Sequence, residues 1–191
     1  MRSLLAVLLL SISAVAGEPY AFRISSVTDN DRKQVINHGL SVPVKYDGKK
    51  MILTALHVVA GEPTDILVDF PKGWIRCQII KKDEVLDLCL LAPAIEPPWT
   101  ISVSDEELKE GLEVLNPNFF ARMRMVVNKG TVKERRNAHW SGEINEFANG
   151  SSGSPILDKR GKLVGVGIAM LPSKTMAIFV GSDEIRKFLK K

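Results

Sequence analysis

Three short segments of this chain place chemically capable side chains against apolar sequence. The first is Leu53-Thr54-Ala55-Leu56-His57-Val58-Val59-Ala60, in which an imidazole follows a strand-like run. Imidazole exchanges protons near neutral pH, so it can act as general base and then as general acid. The second is Asp87-Leu88-Cys89-Leu90-Leu91, a single carboxylate at the start of an apolar run. A carboxylate taken out of water is costly unless it is paired or hydrogen-bonded, so Asp87 needs a partner. The third is Asn149-Gly150-Ser151-Ser152-Gly153-Ser154-Pro155-Ile156-Leu157, a Gly/Ser turn feeding a strand. A serine hydroxyl is a weak nucleophile until a neighbouring base takes its proton. Singly, each segment has an ordinary reading: a structural histidine, a turn cap, a flexible linker. Together they hold the parts of a base-activated nucleophile with an orienting acid.

The elements that must position these residues read as strands. Short Val/Ile/Leu-rich runs recur between turn residues, at Leu40–Lys45, Lys50–Thr54, Asp65–Phe70, Trp74–Ile80, Asp87–Leu91, Leu112–Leu115, Arg124–Val127, Lys129–Val132, Pro155–Leu157, Leu163–Ala169 and Met176–Val180. Regular short strands predict an all-β sandwich or barrel. Asp47-Gly48 and Arg160-Gly161 sit between such runs as hairpin turns. The Pro-rich, then acidic, stretch Ala92–Glu107 reads as a linker between two halves, 17–98 and 99–191. One helix is legible at the C-terminus. Ser182 is its expected N-cap, Asp183 and Glu184 complement its start, and Ile185, Phe188 and Leu189 form an apolar stripe.

Residues 1–16 read as a secretory signal. Arg2 gives a basic start, Leu4–Ala16 is an apolar run, and Ala14-Val15-Ala16 has the small-x-small form of a cleavage site. The run is shorter than the about 20 residues a spanning helix needs. No later segment is apolar for long enough, so no membrane span is expected after signal removal, and the expected location is secreted or periplasmic. Over 191 residues, 26 Lys+Arg against 22 Asp+Glu give a net charge of +4. That is far from the basic footprint of a nucleic-acid binder, so no such partner is expected. Hydrophobic content of 45% excludes a disordered chain. Cys77 and Cys89, the two cysteines, flank an expected hairpin turn near Asp83. They read either as a disulfide across two strands or as two small buried thiols. No zinc spacing exists, and neither a metal nor another cofactor is expected. His38 and His139 are placed on loops or strand edges, and Lys133, Arg135 and Arg136 on a solvated loop.

The order His57, Asp87, Ser152 is that of the chymotrypsin-type triad, and the surrounding residues carry the likeness further. The chain resembles the trypsin-like (chymotrypsin-fold) serine endopeptidases, and most of all their compact HtrA-like bacterial branch. Thr54-Ala55-Leu56-His57-Val58-Val59 is similar to that family's catalytic-histidine strand end, Asp87-Leu88-Cys89-Leu90-Leu91 to its Asp-Ile-Ala-Leu motif, and Gly150-Ser151-Ser152-Gly153-Ser154-Pro155 to its nucleophile turn. Weaker matches run through Ser104-Asp105, Asn116-Pro117, Lys129–Val132, Gly161–Val166 and Ala177–Ser182.

The resemblance implies two six-stranded antiparallel barrels with a short C-terminal helix and the site between them. It implies a peptidase acting on polypeptide, with Ser152 as nucleophile, His57 as base, Asp87 as its orienting acid, and the backbone N–H groups of Gly150 and Ser152 as the oxyanion hole; the oligomeric behaviour of many HtrA-like proteins is not carried over, and a monomer is expected. It also places Glu146, Gly167 and Ala169 about the specificity pocket. Glu146 lies six residues before Ser152, where trypsin has its pocket acid, and copying that role would mean cleavage after Arg or Lys. Glutamate preference is disfavoured, because Gly165-Val166-Gly167 lacks the pocket histidine of the glutamyl endopeptidases. Ser151 stands where the digestive branch has its aspartate, so no zymogen ion pair is expected. No room is left for a PDZ domain. Two other readings are a catalytically silent peptide- or partner-binding module on the same fold, against which the complete triad counts, and a precursor-processing protease of viral type.

Overall fold

The computed structural model describes residues 20–30, 33–120, 124–171 and 176–190. The signal-peptide reading lies outside them. Among the described residues, alternating and doubly buried apolar side chains build twelve strands. These are β1 (Phe22–Asn30), β2 (Lys33–Tyr46), β3 (Lys49–Ala55), β4 (Asp65–Phe70), β5 (Gly73–Asp83), β6 (Leu88–Pro93), β7 (Glu113–Phe120), β8 (Arg124–Arg136), β9 (His139–Ile144), β10 (Pro155–Leu157), β11 (Leu163–Leu171) and β12 (Met176–Gly181). They close into two antiparallel barrels, one ordered β1-β2-β3-β6-β5-β4 and the other β10-β11-β12-β9-β8-β7. The expected all-β, double-barrel class is therefore what the chain adopts. Closure leaves neither sheet with an unpaired edge.

The burial pattern explains the composition of the strands nearest the barrel junction. In β6, Leu88 to Leu91 are all buried. In β10 and β11, successive residues serve different cores. Ile156 and Val164 fill the second barrel's interior. Leu157, Leu163 and Val166 join the larger cluster that also holds Phe22, Val42, Leu53 and Leu90. Strands covered on both faces read as continuous apolar runs rather than alternating ones.

Several expectations need correction. Ala92 and Pro93 belong to β6, so the connection between barrels runs from 94 to 112. Lys133, Arg135 and Arg136 are in β8, not a loop. There Arg135 reaches Asp183 and Glu184 at 3.0 and 3.1 Å, tying the second barrel to the terminal helix α1 (Ser182–Lys190). His38 and His139 likewise lie within strands, β2 and β9. Ser182 does not cap α1; its buried hydroxyl donates to the Glu106 carbonyl at 3.3 Å. The helix instead docks through buried Ile185 and Phe188, and its last turn is held by Lys81, whose Nζ donates to the Phe188 carbonyl at 2.6 Å.

Cys77 and Cys89 are both buried free thiols rather than a disulfide. Cys77 pairs with Pro93 and Cys89 with Lys82. Four ladder positions at about 3.3 Å each separate them, well beyond the roughly 7 Å that a disulfide can bridge. Burial pushes both thiols up to about 12.

Candidate active site

The first barrel supplies an imidazole and a carboxylate. β3 ends at Ala55, and one 3-10 turn, Leu56–Val59, follows. Val58 and Val59 are 2% and 1% exposed and anchor that turn, while Ser26 Oγ donates to the Val58 carbonyl at 2.7 Å. His57, which precedes these anchors, stays accessible.

Asp87 sits just before β6, at the end of a turn closed by Asp83 Oδ1, which accepts from the Val85 and Leu86 amides at 3.0 Å each. Its φ is +55°, a left-handed conformation that Asp tolerates better than most residues. Every acceptor it carries toward His57 is used. The Asp87 carbonyl accepts from Leu56 N at 2.9 Å, Oδ1 from His57 N at 2.9 Å, and Oδ2 meets His57 Nδ1 at 2.6 Å. An ionised carboxylate oxygen can only accept, so Nδ1 carries the hydrogen and Nε2 presents its lone pair.

The second barrel supplies the Gly/Ser turn between β9 and β10. Gly150 and Gly153 have φ of +92° and +85°. At Gly153 a Cβ would lie 1.8 Å from the Leu40 carbonyl oxygen and 2.5 Å from Thr54 Oγ1, so no side chain fits. This close approach lets Leu40 N donate to the Ser152 carbonyl at 2.7 Å, with Thr54 Oγ1 holding the Leu40 carbonyl at 2.7 Å. Gly153 N donates to Gly167 O at 2.7 Å, and Gly167 N to Ser154 O at 2.9 Å. Ser152 is thereby pinned between β2 and β11.

The amides of Ser151, Gly153 and Ser154 all donate within the protein. Those of Gly150 and Ser152 have no acceptor among the described residues. Both residues border an open cleft of about 500 Å³ that His57, His38, Phe147, Ala148, Asn149, Ala169 and Met170 also line. The Ser152 hydroxyl makes a long bond to the Ile168 carbonyl, at 3.4 Å. An imidazole, a hydroxyl and the two residues with unspent amide donors thus line one cleft.

Of the expected pocket residues, Ala169 lines this cleft, and Gly167 lies beneath Phe147, whose ring would be 2.7 Å from a Cβ built there. Glu146 does not line it. It is exposed in the turn after β9 at φ +54°, and the next residue, Phe147, forms the wall. Sequence reasoning passed over Gly39, Leu40 and Thr54, which position the turn. It also passed over Asn118, which donates to Ser151 Oγ at 2.5 Å. A buried polar residue in an apolar strand is the one signal that pointed to Asn118.

The family model of the trypsin-like peptidase domain matches residues 39–166. The chain therefore belongs to that family, the trypsin-like serine proteases. It is 30% identical over 178 residues to the magnetosome formation protease MamE of Paramagnetospirillum magneticum strain ATCC 700264 / AMB-1, a match covering 82% of this chain. The chain spans 24% of that relative's length. Its fold is similar to that of the Rv3671c protease from M. tuberculosis. In the active form the TM-score is 0.80 at 19% identity, covering 97% of this chain and 86% of the other; in the inactive form it is 0.75 at 18%, covering 96% and 94%. Among the described residues, no helix is long and apolar enough to cross a membrane.

Proposed function

We propose that the chain is an exported serine endopeptidase that hydrolyses polypeptide through His57, Asp87 and Ser152. The observation that carries this reading is the two-point grip of Asp87 on His57, at 2.9 Å to its amide and 2.6 Å to Nδ1, in a cleft shared with Ser152. That grip selects the tautomer with a basic Nε2. Substrate binding would turn the Ser152 side chain about χ1, carrying Oγ from the Ile168 carbonyl to within reach of Nε2. Oγ then attacks the scissile carbonyl carbon as Nε2 takes the proton. The carbonyl oxygen becomes an oxyanion facing the Gly150 and Ser152 amides. His57 returns the proton to the departing amine, leaving an acyl-enzyme on Ser152. Water, deprotonated by the same imidazole, releases the acid. Asp87 stays ionised and stabilises the imidazolium.

The proposed side-chain preference is apolar. Beside Ser152 the wall is Phe147, Ala148, Ala169 and Met170, and no carboxylate is among the residues lining the cleft. The two barrels are read as one peptidase unit, with the first half (17–98) bringing the base and the second (99–191) the nucleophile. The N-terminal signal reading places the enzyme outside the cytoplasm.

The test is a fluorophosphonate probe on the purified mature protein. Labelling at Ser152 that vanishes in both Ser152→Ala and His57→Ala is the expected result. A well-folded protein that does not label would sink the catalytic reading and leave the binding module.

A further inference from the structure

Backbone bonds from Leu40 and Gly167 hold the turn that presents Ser152 on the β2 and β11 sides, and its remaining side meets β7. β7 pairs with β10 at a single position, Leu115 with Leu157. Beyond Leu115, the side of β7 that would continue that ladder faces the Ser151–Pro155 turn instead. Two residues there, Asn116 and Asn118, are one strand period apart and so share a face. Both are buried, at 0% and 5% exposure. Asn116 Nδ2 donates to Ser154 Oγ and to the Pro155 carbonyl, both at 2.9 Å. Asn118 Nδ2 donates to Ser151 Oγ at 2.5 Å, while its Oδ1 is held by Phe119 N at 2.7 Å.

Ser151 then closes a small ring. Its Oγ accepts from Ala148 N at 3.0 Å, and its own N–H donates to the Ala148 carbonyl at 2.9 Å. The peptide unit bearing the Gly150 amide lies inside that ring. Without the Asn118 donor the Ser151 hydroxyl is free to leave Ala148 N, and the left-handed Gly150 can turn its amide away from the cleft.

We infer that Asn116 and Asn118 are positioning residues that lock the oxyanion turn through Ser154 and Ser151, so that the site is assembled by neutral hydrogen bonds rather than by a newly cleaved N-terminus. This rests on the peptidase reading given above. Position 151 is serine, and its partner is an amide already fixed in β7. No α-amino group has to arrive, and no ion pair has to form.

The experiment uses Asn118→Leu, which removes the donor at similar volume, with Ser151→Ala and the double variant. Kinetics on a peptide amide are combined with amide exchange at Ala148 and Ser151. The lock predicts that kcat falls on the order of a hundredfold, the loss expected when a reacting group is misplaced by about 1 Å. KM should change by less than about threefold, and affinity for a peptide boronate should fall with kcat. The double variant should lose little more than either single one. Wild-type protein carrying an N-terminal extension should keep its kcat. A kcat within threefold of wild type in Asn118→Leu, or losses that multiply in the double variant, would overturn the lock. If the wild type itself shows no turnover, the peptidase reading fails, and amide exchange still decides. Faster exchange at Ala148 and Ser151 in Asn118→Leu supports the lock, and unchanged exchange refutes it.

Discussion

Gly153→Ala should be the most damaging single-methyl change near the cleft. The methyl would sit 1.8 Å from the Leu40 carbonyl oxygen and 2.5 Å from Thr54 Oγ1, and φ is +85°. A non-glycine residue there costs roughly 1–2 kcal/mol for the left-handed backbone alone. Forcing a methyl into packed backbone adds about 1–3 kcal/mol. The displaced Leu40 carbonyl also strains the 2.7 Å bond from Leu40 N to the Ser152 carbonyl, worth about 1 kcal/mol net. The total is about 3–6 kcal/mol, a large part of the 5–15 kcal/mol that holds a typical domain. Gly150→Ala is the internal control. Its φ is +92°, but nothing lies within 4 Å of the added methyl, so only the backbone cost of about 1–2 kcal/mol applies. Urea unfolding in a Ser152→Ala background avoids self-digestion. The two variants should differ by about 2–4 kcal/mol, the sum of the packing and hydrogen-bond costs. Equal midpoints would refute the claim that contact with the first barrel, rather than backbone conformation, requires glycine at 153.

Asp87→Asn should reduce kcat by about 10⁴, because an amide that keeps its oxygen toward His57 N turns its NH₂ toward Nδ1 and forces the hydrogen onto Nε2; steady-state kinetics within tenfold of wild type would contradict the assigned tautomer. Native protein at pH 8 should resist iodoacetamide and, in urea, should yield two thiols with or without reductant; rapid native labelling, or a thiol count that needs reductant, would show the cysteines to be exposed or paired. Both thiols are raised from 9.0 to about 12 in the fold. They stay neutral there while the unfolded chain's thiols ionise, so their contribution to stability is complete below pH 9 and declines as pH rises from 9 toward 12, readable as a falling urea midpoint. A peptide-library digest should favour apolar residues before the cleaved bond; preference for Arg or Lys would restore Glu146 as the pocket acid.

What the sequence revealed and what it hid follow from the same physics. Apolar runs such as Asp65–Phe70 announce their strands directly. β1 was missed because its inward face continues with Ser26, a hydroxyl that is fully buried and satisfied by the Val58 carbonyl. β9 was missed because its buried positions include Ser141 and Gly142, small residues that carry no apolar signal. The cysteine register was hidden by the place of the turn, which spans 84–87 with Asp83 opposite Leu88 instead of centring on Asp83, so the two cysteines fall out of register. His57, Asp87 and the Ser152 turn were legible because local sequence determines their chemistry and each follows or opens a strand. The residues that place them were not, since Leu40, Thr54 and Asn118 act through contacts 14 to 112 residues from the side chains they support only after the barrels close; the Asn118–Ser151 pair, for example, spans 33 residues.

That division bears on how stability and activity are coupled. His57 and Asp87 belong wholly to the first barrel, so their mutual geometry survives as long as the β3 end and the β6 start survive. Ser152 belongs to the second, which shares a buried apolar cluster with the first, and its turn meets the first barrel through a few polar bonds: Leu40 N to the Ser152 carbonyl, with Thr54 Oγ1 bracing the Leu40 carbonyl beneath Gly153. Local opening costs less than global unfolding wherever few contacts must break, which here applies to the turn and not to the shared apolar cluster. Mild denaturant should therefore separate Ser152 from His57 before either barrel melts. Turnover should be lost at a lower urea concentration than strand circular dichroism, with Thr54→Val widening the gap and leaving the Asp87–His57 pair intact. Coincident loss of the two signals, in wild type and in Thr54→Val alike, would mean that the junction is as stable as the barrels and that the site's geometry is governed by global unfolding.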